Sequence, residues 1–437
     1  MKFYLFVLGC QMNVSDSERL RALLKGLGFK ETKNEKQADI IIAIACSVRQ
    51  KPIDRLWGKL KIWKLMSNNS CLILTGCITD QDKKEFKKKF DLVFDIQNPN
   101  ELISFLQKEE LINSNFLSYS SSPSMKLGIN SIGKSFFALD PERKDNKRAY
   151  IAIGNGCDNF CTYCVVPYTR GREIYRPKKE IIAEVKQALK NGAQIITLIA
   201  QNVNSYKSKV QNQKSKNDAP RHPEEGDEKE GDERISNISV VSSSVIPAPQ
   251  QVRGKTPAGI HSFDFVKLLE EIDAISGDFK IEFLTSHPKD MSDYLIKSVA
   301  KLDKVNKWIH LPVQAGSDEI LAKMNRKYTR EHYLNLVKKI RKIIPNVVLT
   351  TDIIVGFPTE SKEQFAQTVD LAKKCQFDQA FIAMYSPRPG TVATKMKDDV
   401  LSGEKKRRFR ILDQLINHKK ANKQNPWTVA NKSDNEY

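Results

Sequence analysis

This sequence predicts an α/β protein in two blocks, an N-terminal open parallel α/β domain followed by a partial (β/α)6 barrel. Three observations carry that expectation. Runs such as Ala38–Ala45 are apolar throughout, as strands buried on both faces are. Helical stretches alternate with them, and such alternation implies parallel pairing through crossovers. From residue 149 the strand–helix unit recurs six times, enough for an open barrel with its active face at the strand C-termini.

The first block covers residues 1–125. Lys2–Leu8 is a strand pattern, and Ser15-Asp16-Ser17-Glu18 fits a capping box before an amphipathic stretch ending near Gly28. Ala38–Ala45 and Cys71–Gly76 read as buried strands, with Val48–Leu65 and Asp80–Phe90 as helices and Leu92–Ile96 as a fourth strand. A connecting segment, 126–148, leads to the barrel block at 149–400. Its strands are expected at Ala149–Ile153, Ile195–Ala200, Lys280–Leu284, Lys307–Val313, Val347–Val355 and Ala380–Tyr385. The helices between them are Glu180–Lys190, Phe263–Ile275, Met291–Leu302, Arg330–Ile344 and Lys362–Cys375. Residues 207–257 break the pattern with Lys/Ser/Asn, an acidic run Glu224–Glu228 and a Ser/Val/Pro stretch, the composition of a disordered insertion. Residues 401–437 read as a short, basic, poorly patterned tail.

Composition narrows the partners. Lys and Arg outnumber Asp and Glu by 71 to 52, a net charge of +19, which favours contact with a polyanion. RNA, DNA and an anionic membrane surface all satisfy that. No apolar run approaches the ~18 residues of a bilayer span. Met1–Cys10 has the look of a short lipoprotein signal, but its apolar part, Phe3–Leu8, is shorter than the roughly 7–15 residues such signals need. The chain is expected to be cytoplasmic, off the membrane and monomeric, so its eight cysteines read as ligands or thiols before disulfides.

Cysteines carry the chemistry. Cys157-Asp158-Asn159-Phe160-Cys161-Thr162-Tyr163-Cys164 packs three thiolates into a CxxxCxxC just after the first barrel strand. Three ligands on a 4Fe–4S cluster leave one iron open. A zinc knuckle is the alternative, but no fourth Cys or His stands at suitable spacing. Cys10, Cys46 and Cys77 each follow a strand of the first block, where loops of a parallel sheet form a crevice. They read as a converging ligand set, against the alternative of three buried cysteines that end strands by chance. Cys71 and Cys375 read as small core residues.

Polar residues collect at the barrel strand C-termini: Gln201 and Asn202, Ser286 and His287, Gln314, Asp352, and Tyr385 followed by Arg388. Together they outline a pocket, with Gln201, Asn202, Ser286, Gln314 and Asp352 as its cofactor- or substrate-binding candidates. His287 is the histidine best placed for function, with a plain loop role as the alternative.

CxxxCxxC at the top of a first barrel strand resembles the radical S-adenosylmethionine (SAM) superfamily. Gly9-Cys10-Gln11-Met12-Asn13, Ala45-Cys46-Ser47-Val48-Arg49, Gly76-Cys77, Pro167-Tyr168-Thr169-Arg170-Gly171-Arg172-Glu173, Gln201–Tyr206, Thr285–Pro288, His310–Gln314, Asp352–Pro358 and Tyr385–Thr391 are similar to the methylthiotransferases within it. The resemblance covers nearly all of residues 1–400 apart from the insertion. Cys10-Gln11-Met12-Asn13 resembles the branch that modifies isopentenyladenosine, N6-dimethylallyladenosine, in tRNA. The resemblance implies two 4Fe–4S clusters, one on Cys157, Cys161 and Cys164 chelating SAM, the other on Cys10, Cys46 and Cys77 presenting sulfur. It implies tRNA as substrate, a flavodoxin- or ferredoxin-type electron donor and a sulfur donor without a sequence signature in this chain. Beyond the cluster ligands no catalytic residue is legible.

Three departures from the family pattern stand out. The insertion lies where the family has a short loop, and the C-terminal TRAM β-barrel by which the family grips tRNA is expected to be missing. Ala200 and Thr359 stand where glycine is common, mild swaps unless φ is positive. The rival readings are a sibling methylthiotransferase with another substrate, a tRNA-binding protein without turnover, and a two-cluster electron carrier.

Overall fold

The structure, a computed structural model, describes residues 1–48, 50–66, 70–112, 136–208 and 260–418. Both expected blocks are present, each built around a parallel sheet. The first comprises β1 (Lys2–Val7), α1 (Gln11–Gly26), β2 (Lys30–Glu31), β3 (Ile40–Cys46), α2 (Gln50–Lys64), β4 (Cys71–Cys77), α3 (Asp80–Phe86), β5 (Leu92–Val93) and α4 (Pro99–Lys108). Its sheet runs in the order β2-β1-β3-β4-β5, parallel throughout. All seven residues of the central β3 are buried. Ile40, Ile42 and Ile44 face the Leu20, Leu24 and Leu106 side, while Ile41, Ala43 and Ala45 face the Leu56, Leu60 and Phe86 side. A strand covered on both faces has no polar alternation to keep, which is why its sequence is uniformly apolar.

Local differences from the sequence reading have physical causes. Ser15–Glu18 is not a capping box. Helix α1 already begins at Gln11 behind Cys10, and Ser15, Asp16, Ser17 and Glu18 are all buried in its interior. Asp16 serves the seam with the second block by accepting from Arg170, while Ser15 accepts from Arg19 and Ser17 donates to Val14 O within the helix. Helix α3 ends at Phe86, and β5 stops at Val93, where Asp95 Oδ1 caps a turn by accepting from Gln97 N at 3.0 Å. Helix α4, which no sequence signal had marked, packs Leu102, Ile103 and Leu106 onto the sheet.

The second block comprises β6 (Arg148–Ala152), β7 (Gly154–Asn155), α5 (Val166–Thr169), β8 (Ile174–Tyr175), α6 (Lys178–Lys190), β9 (Ile195–Ile199), α7 (Ile260–Asp273), β10 (Lys280–Phe283), α8 (Asp293–Lys301), β11 (Trp308–His310), α9 (Asp318–Lys323), α10 (Arg330–Ile343), β12 (Val348–Val355), α11 (Lys362–Cys375), β13 (Gln379–Met384) and α12 (Ser402–Ile416). Six barrel strands form two parallel arcs, β6-β9-β10 and β11-β12-β13, joined by the single bridge Ile281–Val305. No pairing among the described residues joins β6 to β13, so the barrel is open on that side. One core cluster runs through all six strands and their helices.

Residues 402–416 are not a poorly patterned tail but helix α12. Leu412 and Ile416 enter the barrel core, and Asn417 closes the edge of β13, with Oδ1 accepting from Ala380 N at 2.9 Å and Nδ2 donating to Ala380 O at 2.9 Å. The pattern was hidden because two of the buried positions are charged. Arg408 donates to Glu360 Oε2 at 2.7 Å, and Lys405 reaches Asp398 at 2.7 Å. The insertion expected at 207–257 lies, apart from its first two residues, outside the described residues, as do 419–437 and part of the 126–148 connector. No helix among the described residues is long and apolar enough to cross a membrane.

Candidate metal centres and the cleft between them

The CxxxCxxC loop hangs from the antiparallel ribbon of β7 and β8, which pairs Gly154 with Tyr175 and Asn155 with Ile174. Gly156 has φ 78°, and a Cβ there would stand 2.1 Å from Arg172 O, so only glycine lets the two loop arms close. Phe160 takes φ 46° to turn the chain between the first two cysteines. Asn325 Nδ2 supports that strained turn by donating to Phe160 O at 2.9 Å, and Thr162 Oγ1 anchors the loop on Lys323 O at 2.8 Å. Two sulfurs receive donors of their own, from Asn159 Nδ2 to Cys157 Sγ and from Arg326 Nη1 to Cys161 Sγ, each at 3.4 Å. All three cysteines are half-buried. Burial pushes the Cys157 thiol up to about 11 and the Cys164 thiol up further. Thiols disfavoured as anions in the bare protein are those that bound metal ions deprotonate outright.

Cys46 and Cys77 are the final residues of β3 and β4 and direct partners in register. Cys10 is the N-cap of α1. Close approach there depends on glycine. A Cβ on Gly9 (φ 131°) would lie 2.9 Å from Cys46 Cβ, and one on Gly76 (φ 112°) 2.3 Å from Ala45 O. Asn13 Nδ2 ties the strand ends by donating to Leu8 O at 2.7 Å and Ala45 O at 3.1 Å. Cys46 and Cys77 are buried while Cys10 is exposed, so the site opens on the Cys10 side. The hydrogen bond between the two buried thiols, helped by Arg170, holds Cys77 down, and the same bond pushes Cys46 up. Cys71, at the opposite end of β4, and Cys375 in α11 are both pushed up to about 12 by burial, in keeping with inert core thiols. Among the described residues, no three His, Cys, Asp or Glu side chains converge as around one ion. Three thiols in each trio are the donor set of a 4Fe–4S cluster with one open iron.

Arg170, at the C-terminal end of α5, links the two trios. It leaves the barrel block and is buried in the first block, donating from Nε to Cys77 Sγ at 2.8 Å, from Nη1 to Asn155 Oδ1 at 2.9 Å, and from Nη2 to Asn13 Oδ1 at 3.0 Å and Asp16 Oδ2 at 2.6 Å. Arg388 crosses the seam as well, donating to Gln50 Oε1 at 2.5 Å. Neither contact has a sequence signal: Arg170 stands in the Pro167–Glu173 run, and nothing local reveals a partner 93 residues away.

Four of the predicted pocket residues share one property. Gln201 Oε1, Asn202 Oδ1, Ser286 Oγ and Gln314 Oε1 are buried and have no hydrogen-bond partner, as is Tyr385 OH. Buried polar atoms are nearly always paired, so these oxygens are open to a polar partner at the strand C-termini. Gln314 takes φ 70°, held by Gln314 N donating to Asp352 O and Ile354 N to Gln314 O, each at 2.9 Å. Asp352 itself lies inside β12, and His310 Nε2 sits 3.4 Å from its carboxylate, so its backbone, rather than its side chain, supports Gln314. His287 is buried, its Nδ1 accepts from Lys289 N at 3.2 Å, and burial with the charges of Arg326 and Lys289 keeps it neutral.

Residues 151–372 match the radical SAM superfamily, and residues 2–96 match a family described as uncharacterized protein family UPF0004. Proteins named tRNA-2-methylthio-N(6)-dimethylallyladenosine synthase are similar along nearly the whole chain. The one from Clostridium botulinum is 37% identical over 97% of this chain and 83% of its own length. Those from Thermoanaerobacter pseudethanolicus (39%; 95% and 78%) and Carboxydothermus hydrogenoformans (37%; 95% and 83%) are comparable. Among solved structures, a radical SAM methyltransferase, TsrM, from Kitasatospora setae shares the fold, with TM-score 0.56 at 11% identity over 90% of this chain and 77% of that one. With CxxxCxxC on an open barrel and three strand-end cysteines beside it, the chain belongs to the radical SAM methylthiotransferases, in the family of the tRNA-2-methylthio-N6-dimethylallyladenosine synthases.

Proposed function

We propose that the chain places a methylthio group on carbon 2 of N6-dimethylallyladenosine in tRNA, using the two cysteine trios as cluster sites. The observation that carries this is the seam itself, where a barrel arginine from the helix behind Cys164 reaches the sulfur of Cys77. Two centres so joined suit a reaction that needs a radical source and a sulfur source at one substrate.

Cys157, Cys161 and Cys164 would hold one 4Fe–4S cluster with an open iron and Cys10, Cys46 and Cys77 the other; when bound, they supply reductive cleavage of SAM and the transferred sulfur. The chain's own residues do the placing. Gln201, Asn202, Ser286 and Gln314 offer unpaired oxygens to polar groups of SAM or of the adenosine. Asn202 is fixed for this by donating Nδ2 to Asp290 at 2.8 Å. Neutral His287 retains one ring N–H without bringing a charge into the pocket. The net charge of +19 supplies salt-sensitive phosphate contacts, and an unpaired adenine can leave its stack to reach the cleft. A cytoplasmic monomer served by a flavodoxin- or ferredoxin-type donor completes the reading.

The test is anaerobic cluster reconstitution followed by assay with dithionite, SAM and tRNA carrying isopentenyladenosine, with nucleosides read by mass spectrometry. A 2-methylthio product is expected. SAM cleavage without it would refute the substrate, and failure of either trio to bind iron would refute the two-centre arrangement.

A further inference from the structure

Arg170 is placed unlike an ordinary structural ion pair. Its side chain is 2% exposed, and its Nε, Nη1 and Nη2 are all engaged. One carboxylate, that of Asp16, would suffice to neutralise it, yet Nε is aimed at a sulfur. The backbone is fixed as firmly as the side chain. Arg170 N donates to Val166 O at 2.8 Å, and Arg170 O accepts from Gln97 Nε2 and Asn155 Nδ2, both at 3.1 Å. Helix α5, which this residue caps at its C-terminus, starts two residues after Cys164. One short rigid element thus runs from a ligand of the first trio to a donor on a ligand of the second.

We propose that Arg170 is a positioning residue for the cluster on Cys10, Cys46 and Cys77, holding the Cys77 sulfur at the seam and making that cluster easier to reduce. This rests on the reading that those three cysteines hold a cluster. Hydrogen bonds to ligand sulfurs tune the potential of an iron–sulfur cluster. Reduction adds one negative charge, and a fixed guanidinium beside it in a low-dielectric site stabilises the reduced form more than the oxidised one. Lysine keeps the charge but lacks the planar fork that meets Asp16, Asn13, Asn155 and Cys77 together, so it restores only part of the effect.

The experiment uses full-length chain in which Cys157, Cys161 and Cys164 are all alanine, so that only the second trio can load. Arg170, Arg170→Lys and Arg170→Gln versions are reconstituted anaerobically, iron is counted, and midpoint potentials are measured by dithionite titration followed by electron paramagnetic resonance. The expected result is a midpoint that moves negative in Arg170→Gln at unchanged iron content, with Arg170→Lys between it and the parent. Equal midpoints at equal iron content overturn the proposal while leaving the cluster assignment intact. Should Arg170→Gln take up no iron, Arg170→Lys decides. A midpoint below the parent's supports the proposal and one at the parent's value overturns it. A parent that binds no iron overturns the cluster reading and the proposal with it.

Discussion

Replacing Thr359 with glycine should stabilise the barrel. Thr359 has φ 68°, in the left-handed region where a Cβ costs roughly 1–2 kcal/mol and a β-branched side chain is most strained. Its side chain is exposed and adds no core packing. Two terms oppose the gain. Glycine gives the unfolded chain extra freedom worth about 0.4–1 kcal/mol, and the substitution removes the surface hydrogen bond from Lys323 to the threonine hydroxyl. The backbone bond from Thr359 N to Asp399 Oδ1 at 2.8 Å survives. The balance is a net gain of about 0.5–1 kcal/mol, which for a barrel of this size raises Tm by about 1–4 °C. Thermal and urea unfolding of Thr359→Gly, Thr359→Asn and Thr359→Ala separate the causes. Asparagine tolerates the left-handed region and should recover part of the gain, whereas alanine should recover little. Equal stabilisation by alanine and glycine would show that the hydroxyl or the branch, and not φ, sets the energy. A destabilised glycine variant would refute the strain altogether.

Further outcomes follow from the clusters and the seam. Alanine at Cys157, Cys161 and Cys164 together, or at Cys10, Cys46 and Cys77 together, should each lower reconstituted iron from about eight to about four atoms per chain, because each trio holds one 4Fe–4S unit. Burial pushes the Glu184 carboxyl up, but Arg19, Arg176 and Arg143 outweigh it and hold it down at about 2. Its stabilisation is therefore present above the ordinary carboxylate range and lost as pH falls towards 2. Glu184→Gln should cost about 3–5 kcal/mol in urea unfolding at pH 7, by leaving buried guanidiniums uncompensated. Glu18 behaves oppositely, pushed up to about 7 by burial despite Arg143. Folding then favours its protonated form, so its contribution is present below about pH 4.5 and lost as pH rises through 7, a slope of at most about 1.4 kcal/mol per pH unit. Glu18→Gln should flatten that slope between pH 5 and 7.5 in urea unfolding, and an unchanged slope would place its origin elsewhere.

What the sequence disclosed depended on whether a signal was local. All six barrel strands and the five helices named between them were legible, because each element carries its own apolar period. Gln201, Asn202, Ser286 and Gln314 were legible as strand-end polar residues, and their buried oxygens lack partners. Ala200 and Thr359 were both marked as replacements for glycine. The backbone separates them, since Thr359 has positive φ and Ala200 does not. Helix α12 was missed because an amphipathic pattern counts arginine and lysine as surface, whereas Arg408 and Lys405 are buried with Glu360 and Asp398. Ser15–Glu18 misled for a related reason. Polar residues near the start of a helix suggest a cap, but these four lie beyond its first turn and are all buried. The roles of Arg170 and Glu184 exist only in three dimensions, since Glu184 meets Arg19 across 165 positions of sequence.

The seam explains why two sheets that each satisfy their own cores are held in one arrangement. Its apolar content is small, a cluster of Met12, Tyr150, Ala152 and Ile199. Charge dominates it. Arg19, Arg143 and Arg176 converge on Glu184 at 2.6–2.8 Å, and Arg170 meets Asp16 at 2.6 Å. Arg19 and Arg176 also lie over the Phe137 ring, at 5.7 and 5.4 Å from its centre, which covers their apolar faces. Buried ion pairs add little net adhesion, because desolvation offsets much of their attraction, but one left unmatched is costly. A slip of one helical turn at α1 would strand several guanidiniums without partners. The charges therefore contribute register more than strength. Register is what the chemistry requires, since β3 and β4 end in Cys46 and Cys77 at this seam, and Arg170 brings the barrel to Cys77 there. An apolar interface of equal area could hold the domains together and still let the two cysteine trios slide past each other.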